Sequence, residues 1–270
     1  MPAAAPTLAL IGAGRMGTAL ARGWLKAKTK RQIVIIEPRP SEEVQGWAGE
    51  GRILLNPPAL TATTMVLAVK PQQFAAIAES AKAFVGPKTL VVSIMAGVRI
   101  AQISRRLDTS RIVRSMPNTP GSIGKGITVF AAAPGLAAGD LKAVEALLTP
   151  LGEVQGPVDE NLMSAVTALS GSGPAYLFLL AEVMAEAGEA EGLPRALAQQ
   201  LARRTVEGAA ALMAASGEDP EALRRAVTSP GGTTQAALDI LMDTGGMPRL
   251  MRDALRAAAA RDRQLSKEAD

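Results

Sequence analysis

The chain contains neither cysteine nor histidine. Disulfide bonds, thiol nucleophiles, Ser-His triads and imidazole metal ligands are therefore excluded, and we expect no metal site. Aromatic residues are also scarce, with two Trp, one Tyr and four Phe among 270 residues. Because single strands of nucleic acid stack on aromatic side chains, and no basic block is continuous, we expect no nucleic-acid binding despite a net charge of +4.

Long apolar runs are missing as well. No stretch approaches the length that a membrane-spanning helix needs, and Met1–Pro6 lacks a basic region followed by an apolar core. We therefore expect a cytoplasmic protein that does not enter a membrane. With 48% hydrophobic and 20% charged residues, the chain has the composition of a globular protein of one large or two medium domains.

The most informative stretch is the glycine loop Gly12–Gly17, which follows the apolar run Thr7–Ile11 and precedes a segment with helical spacing. Strand, glycine turn and helix in this order are typical of a dinucleotide site, where N–H groups at the helix N-terminus face a pyrophosphate. The alternative is a glycine turn without a ligand. The predicted cofactor-binding residues here are Ile11, Gly12, Ala13, Gly14, Arg15, Met16 and Gly17.

Strand-like and helical stretches alternate in the first half of the chain. The strands predicted are Leu8–Ile11, Ile33–Ile36, Met65–Val69, Leu90–Ile94 and Ile112–Met116, and helices are predicted near 17–27, 41–49, 73–84, 99–107 and 138–149. Ile127–Phe130 and Glu153–Gln155 are predicted as additional edge strands. This alternation predicts a Rossmann-like α/β domain over residues 1–158, with a buried parallel sheet and helices on both faces.

The pattern changes from Asn161 onward to Ala, Leu, Glu and Arg with helical periodicity. Helices are predicted near 159–169, 174–190, 194–216, 219–227, 232–244 and 246–265, in an all-α domain over 159–270. Loops over 169–174 and 228–234 interrupt them. Glycines beside hydroxyls at a helix start offer N–H donors to an anion such as a small carboxylate, whereas simple capping by Ser and Thr is the alternative.

A dinucleotide domain followed by a helical domain suggests hydride transfer to a small molecule. The only lysine after Lys142 is Lys267, so the second domain lacks the amine that hydroxy-acid enzymes of this architecture use. An imine suits such a site, because it is protonated in solution and is already an electrophile.

Six stretches resemble the pyrroline-5-carboxylate reductase family. They are Ile11–Gly17, Ala68–Gln72, Ser93–Gly97, Arg114–Pro120, Leu169–Tyr176 and Val227–Thr234. The resemblance covers essentially the whole chain, and the last stretch is the family's most specific signature. It implies reduction of 1-pyrroline-5-carboxylate to L-proline by NAD(P)H, the last step of proline biosynthesis, in a homodimer or a decamer built from dimers.

The resemblance also implies individual roles. Beyond the glycine loop, the cofactor cleft would be lined by Asn56, Ala68, Val69, Lys70, Pro71, Met95, Ala96 and Gly97. The loop that would hold the substrate carboxylate through N–H groups comprises Ser229, Gly231, Gly232, Thr233 and Thr234. The Thr234 hydroxyl, as the catalytic group, would hydrogen-bond the ring nitrogen, and Glu160 matches a substrate-side position.

The choice of cofactor stays open at this point. Glu37 lies 20 residues after Gly17, where an acid that binds the ribose 2′-OH is expected, and this favours NAD(H). Arg39 could instead pair with the 2′-phosphate of NADP(H), which the resemblance also favours. Two other functions remain: a sensor that binds a dinucleotide without turnover, and a reductase of another cyclic imine carboxylate or a keto acid.

Overall fold

The computed structural model describes residues 6–58 and 60–268. Most of the N-terminal stretch used in the signal-peptide prediction, residues 1–5, lies outside the described residues. The chain divides into two compact units, one formed by residues up to Ser172 with those from Ala258 onward, the other by Gly173–Ala257. The division into domains 1–158 and 159–270 stays a prediction.

The first unit is built on a single mixed sheet. In the described residues its strands are β1 Thr7–Ile11, β2 Gln32–Ile36, β3 Leu54–Leu55, β4 Thr64–Leu67, β5 Leu90–Ser93, β6 Ile112–Met116, β7 Gly126–Ala132 and β8 Gly152–Gln155. Their order is β3-β2-β1-β4-β5-β6-β7-β8. Strands β1 to β6 run parallel, and β7 is antiparallel to β6. The Rossmann-like sheet is thus confirmed, and its order reverses beside β1, where such sheets bind ligands.

Helices cover both faces of this sheet: α1 Arg15–Lys26, α2 Glu42–Gly49, α3 Pro71–Lys82, α4 Ile100–Leu107 and α5 Ala138–Leu148. Successive residues of a strand point to opposite faces. Leu8 and Leu10 of β1 accordingly belong to one apolar core, shared with α1, α2 and α5. Ala9 and Ile11 belong to the other, shared with α3 and α4.

Two local predictions need correction, and one strand has no signal in the sequence. Strand β3 has only two residues, which are too few to show a period. Strand β7 runs from Gly126 to Ala132 and lies between β6 and β8, so it is not an edge strand. The loop predicted over 169–174 is largely helical: α6 Met163–Val166 continues into a π-helical turn, Thr167–Gly171. The Ser172 N–H donates to the Thr167 carbonyl five residues back, 2.8 Å away, and so accommodates the glycine-rich sequence without a break.

The second unit is all-helical, as predicted. It comprises α7 Gly173–Ala190, α8 Arg195–Ser216, α9 Pro220–Ala226, α10 Thr233–Leu241 and the first residues of α11 Met247–Glu268. Within the described stretch 173–257, the only buried apolar residues are Ala185, Ala198 and Ala202. Large apolar side chains are exposed instead, including Leu177, Phe178, Leu179, Leu197, Leu201, Leu212 and Ile240. One copy of this unit therefore does not bury a core of its own.

One helical stretch contradicts the expectation that no segment is long and apolar enough to span a membrane. Glu160–Ala190 is 31 residues long with a mean hydropathy of 1.3 in its most apolar window, of which 11% is buried. Length and composition alone are weak evidence for a membrane span, because helices that pack against other protein chains meet the same criterion.

Candidate cofactor and substrate sites

The glycine loop has the close approaches that its sequence predicts. Gly12 has a φ of +94°, and its N–H donates to the Ile36 carbonyl at 2.9 Å. A Cβ on Gly12 would lie 2.9 Å from the Ala68 carbonyl oxygen, and a Cβ on Gly17 would lie 2.3 Å from the Gly12 carbonyl oxygen. Both positions therefore require glycine, the first for the turn and the second for contact between helix and strand.

The N-terminus of α1 is open to a ligand. Gly14 precedes the helix, and no side chain among the described residues caps it. A Cβ on Gly14 would meet nothing within 4 Å, so there is room beside the loop. Arg15 is exposed and Met16 half-buried. Free N–H groups and the helix dipole favour an anion here, so the residues present fit a pyrophosphate.

Glu37, Arg39 and Asn56 meet beside this loop. The Glu37 carboxylate accepts from the Ala13 N–H at 2.9 Å and from the Arg39 N–H at 3.0 Å. The Asn56 amide accepts from the Glu37 N–H at 2.8 Å and donates to the Glu37 carbonyl at 2.9 Å. Residues predicted from three separate parts of the chain are thus joined by direct hydrogen bonds.

The neighbouring strand ends supply two further segments. After β4, the Ala68 N–H donates to the Ile11 carbonyl at 2.8 Å, and the half-buried Val69 leads to the exposed Lys70 and to Pro71, the first residue of α3. These residues adjoin the glycine loop, because the Cβ that Gly12 lacks would lie 2.8 Å from Val69 Cγ1.

The segment after β5 is divided between two environments. Met95 is buried, and its N–H donates to Ser93 Oγ at 3.2 Å, while Ala96 is half-buried. Gly97 has a φ of +74° and lies against α11, where a Cβ would be 3.0 Å from Leu265 Cβ. Close packing against α11 is thus one reason for glycine at position 97.

The predicted substrate loop leads into α10 in the second unit. Because Thr233 and Thr234 are the first residues of that helix, the loop predicted over 228–234 ends at Gly232. Gly231 has a φ of +68°, and the Gly232 N–H donates to the Ser229 carbonyl at 3.0 Å. Gly232 precedes α10, and no side chain in the described part of the chain caps this helix. The capping alternative is therefore not observed, and the first N–H groups of α10 are available to an anion. Thr234 is half-buried, whereas Ser229 and Thr233 are exposed.

A cavity of about 580 Å³ adjoins this loop within the second unit. Thr228, the first residue of the loop, and Gln235, in the first turn of α10, both line it. The other lining residues are Arg224, Arg225, Leu238, Asp239 and Met242. The Thr228 hydroxyl donates to the Arg224 carbonyl at 2.6 Å and so fixes the start of the loop on the end of α9.

Glu160 belongs to a cluster of charges in the first unit. Its carboxylate accepts from the Ile100 N–H at 2.7 Å, at the N-terminus of α4. It also lies 3.7 Å from Arg114 Nη1 and 3.8 Å from Arg99 Nε. These contacts give Glu160 a structural role, and its substrate role stays a prediction.

Arg114, Ser164 and Asp262 complete this cluster. The sequence pattern assigns no role to any of the three, although Arg114 begins one of the stretches that resemble the family. Asp262 Oδ2 lies 3.4 Å from Arg114 Nη2 and accepts from the Ser164 hydroxyl at 2.8 Å. Burial lowers the pKa of Arg114, while the Asp262 and Glu160 carboxylates act in the opposite direction. The signal that could have revealed the cluster is an arginine inside the apolar strand 112–116, since a buried charge needs a partner.

Comparisons with known proteins agree with this arrangement. Residues 160–265 match the family model for pyrroline-5-carboxylate reductase dimerisation, and residues 7–97 match that for NADP oxidoreductase, coenzyme F420-dependent. The chain is 36% identical over 266 residues to the pyrroline-5-carboxylate reductase of Synechocystis, covering 97% of this chain and 98% of that protein.

Two solved structures are also similar over nearly their full length. A pyrroline-5-carboxylate reductase from Coxiella burnetii has a TM-score of 0.86 at 32% identity, covering 97% of this chain and 98% of the other. The Plasmodium falciparum pyrroline carboxylate reductase with NADP bound has a TM-score of 0.81 at 26% identity, with the same coverage of 97% and 98%. With its glycine loop and its match to full-length relatives, this chain belongs to the pyrroline-5-carboxylate reductase family.

Proposed function

We propose that this protein reduces 1-pyrroline-5-carboxylate to L-proline with a reduced nicotinamide dinucleotide, as the last step of proline biosynthesis. The observation that carries the proposal is the match to a reductase of this name over 97% of the chain. It is supported by a glycine loop whose close contacts admit only glycine at positions 12 and 17.

The first unit would hold the cofactor, which supplies the hydride when bound. The N–H groups at the start of α1 would bind its pyrophosphate, because that helix end is uncapped and has space beside Gly14. Ala68 to Pro71 and Met95 to Gly97 would line the remainder of the cleft. The NADP-bound Plasmodium structure supports NADP(H) as a cofactor, and Glu37 supports NAD(H).

The second unit would hold the substrate through the loop from Ser229 to Thr234. The uncapped N-terminus of α10 would bind the carboxylate, where the helix dipole favours negative charge. The Thr234 hydroxyl would hydrogen-bond the ring nitrogen and orient the C=N bond. A protonated imine needs no further acid after it accepts hydride, in keeping with a chain that lacks histidine and has no lysine between Lys142 and Lys267.

The protein would work as a homodimer formed through its second unit. The exposed apolar side chains of α7 and α8 need a partner, and the matching family model describes dimerisation. A second copy of the chain would also cover the apolar stretch Glu160–Ala190, so that no membrane is needed to account for it. Assembly of dimers into decamers and a cytoplasmic location are part of the same proposal, and rest on the family resemblance.

The test is oxidation of NADPH or NADH, followed at 340 nm, with 1-pyrroline-5-carboxylate as substrate. Two variants at one position separate the hydroxyl from the shape of its side chain. Thr234→Val keeps the shape and should lower turnover or substrate affinity about 100-fold. This is the low end of the rate effect expected when a group that positions a proton or its acceptor is removed. Thr234→Ser keeps a hydroxyl and should retain most of the activity.

The outcomes separate the competing functions. Equal rates in Thr234→Val and the wild type would remove the role given to Thr234. Cofactor binding without oxidation of either dinucleotide would reject the proposed substrate. A six-membered cyclic imine carboxylate would then be assayed, and the absence of turnover with that compound would favour a sensor.

A further inference from the structure

We propose that Glu37 makes NADH the preferred reductant of this protein, by fixing a negative charge where the 2′-phosphate of NADPH would have to lie. The inference rests on the proposed function, because it concerns the cofactor of the same site. It names a selectivity that neither the family match nor the sequence pattern decides.

The position of Glu37 follows from the register of two strands. β1 and β2 are paired so that Ile11 lies opposite Ile36. Gly12 and Glu37 therefore leave the sheet side by side, and the Gly12 N–H bonds to the Ile36 carbonyl at 2.9 Å. This is the edge where a parallel sheet binds a dinucleotide, with the adenosine ribose next to the end of the second strand.

The Glu37 carboxylate is held in place by two backbone donors. Oε2 accepts from the Ala13 N–H at 2.9 Å, inside the glycine loop, and Oε1 accepts from the Arg39 N–H at 3.0 Å. A carboxylate that turned away to admit a phosphate would lose both charge-assisted hydrogen bonds. A side chain without such bonds could move aside at little cost.

Asn56 fixes the main chain of the same residue. Its amide oxygen accepts from the Glu37 N–H at 2.8 Å, and its amide nitrogen donates to the Glu37 carbonyl at 2.9 Å. Asn56 has a φ of +47°, a left-handed conformation that asparagine tolerates better than most residues. Glu37 is thus restrained through its backbone and its carboxylate together.

This arrangement treats the two cofactors differently. A carboxylate has about four acceptor positions, of which two serve the backbone, so it can still accept from the ribose 2′-OH of NADH. The 2′-phosphate of NADPH offers negative charge in place of that donor, and two like charges repel each other more strongly the closer they lie.

The nearby cations compensate only in part. Arg39 and Arg15 are both exposed, and ion pairs between exposed groups contribute little because water and salt screen them. The bond that Arg39 makes to the Glu37 carboxylate comes from its main-chain N–H and leaves the charge of Glu37 in place. The carboxylate, which two hydrogen bonds hold in place, should therefore repel a 2′-phosphate more than the two exposed guanidinium groups attract it.

The experiment compares kcat/KM and dissociation constants for NADH and NADPH in the wild type and in Glu37→Ser, Glu37→Gln and Arg39→Gln. Dissociation constants come from nucleotide fluorescence without substrate, so they report selectivity even if 1-pyrroline-5-carboxylate is not the substrate. We expect the wild type to bind NADH about tenfold more tightly than NADPH. A tenfold ratio of dissociation constants is the size of effect that one hydrogen bond or ion pair can give.

The variants assign this preference to its cause. Glu37→Ser should reverse it by raising NADPH affinity at least tenfold, and Glu37→Gln, which removes the charge but keeps the shape, should move it in the same direction. Arg39→Gln should weaken the binding of NADPH and leave the binding of NADH unchanged. A wild type that binds NADPH more tightly than NADH, or a ratio unchanged in both Glu37 variants, would overturn the proposal.

Discussion

Arg114 of β6 and Asp262 of α11 form a buried ion pair across 148 residues of sequence, with Nη2 and Oδ2 3.4 Å apart. Only 5% and 3% of the two side chains are exposed. Among the described residues, Asp262 Oδ1 has no hydrogen-bond partner. The pair therefore holds the end of the last helix on the sheet of the first unit, but it is not fully satisfied.

Removing one member of this pair should be costly. Asp262→Ala leaves Arg114 buried with Glu160 as its remaining carboxylate, 3.7 Å away. Because Glu160 compensates in part, the free energy of unfolding should fall by about 3 kcal/mol, the lower end of the range for a broken buried pair. The double variant Arg114→Met with Asp262→Leu should recover much of this loss, because no charge is left buried. Urea unfolding of the three proteins checks both expectations.

The matched control lies on the same helix. Glu268→Gln removes an ion pair with Arg261 whose side chains are more than half exposed, and should change the free energy of unfolding by less than about 1 kcal/mol. If Asp262→Ala were as mild as this control, the buried pair would contribute no more than a surface contact.

The two glycines of the loop should differ in what an added methyl group does. Gly17→Ala would place a Cβ 2.3 Å from the Gly12 carbonyl oxygen, displacing α1 and lowering stability by about 1–3 kcal/mol, as overpacking does. Gly14→Ala meets nothing within 4 Å, at a φ of −67° that alanine adopts freely. Thermal unfolding measured without cofactor should therefore give a lower melting temperature for Gly17→Ala than for Gly14→Ala. Equal melting temperatures would contradict the close contact between Gly17 and the Gly12 carbonyl.

The exposed apolar side chains of α7 should be needed for assembly. Phe178 is 67% exposed in one chain, so Phe178→Lys should place a charge in the proposed dimer interface and yield monomers or aggregates. Ile123→Lys makes the same change at a residue that is 77% exposed in the first unit, and should leave the oligomer unchanged. Light scattering after size-exclusion chromatography measures both, and a Phe178→Lys dimer would argue against this interface.

The surface pair between α1 and α2 should give a small pH effect of definite sign. Arg22 donates to both carboxylate oxygens of Glu43, at 2.8 and 2.7 Å, and this hydrogen bonding lowers the pKa of Glu43. Because the folded-state pKa lies below the unfolded value of about 4.3, the stabilisation is present above that pH and is lost as the pH falls through the folded pKa.

Glu43→Gln should therefore lower the free energy of unfolding by less than about 1 kcal/mol at pH 7, since both side chains are exposed and screened. The difference from the wild type should disappear as the pH falls through the folded-state pKa of Glu43, which lies below the unfolded value. A difference that persisted unchanged into acid would mean that Glu43 acts through packing.

Much of the fold could be predicted because its signals are local. Apolar runs such as Leu8–Ile11 and Ile33–Ile36 form buried parallel strands. The spacing of glycines in Gly12–Gly17 predicts close backbone contacts that a Cβ would obstruct, and the structure has these contacts at Gly12 and Gly17. The π-helical turn at Thr167–Gly171 could not be predicted, because glycine and serine favour a break and only hydrogen bonding over five residues prevents it.

The sequence by itself determined the fold class and the family, since both depend on motifs whose residues lie close together along the chain. Tertiary structure alone decided which distant residues meet. It joined Glu37 to Ala13 and Asn56 through hydrogen bonds, and it gave Arg114 its partner in Asp262. Such pairings depend on strand register and helix packing, which no local pattern of residues specifies.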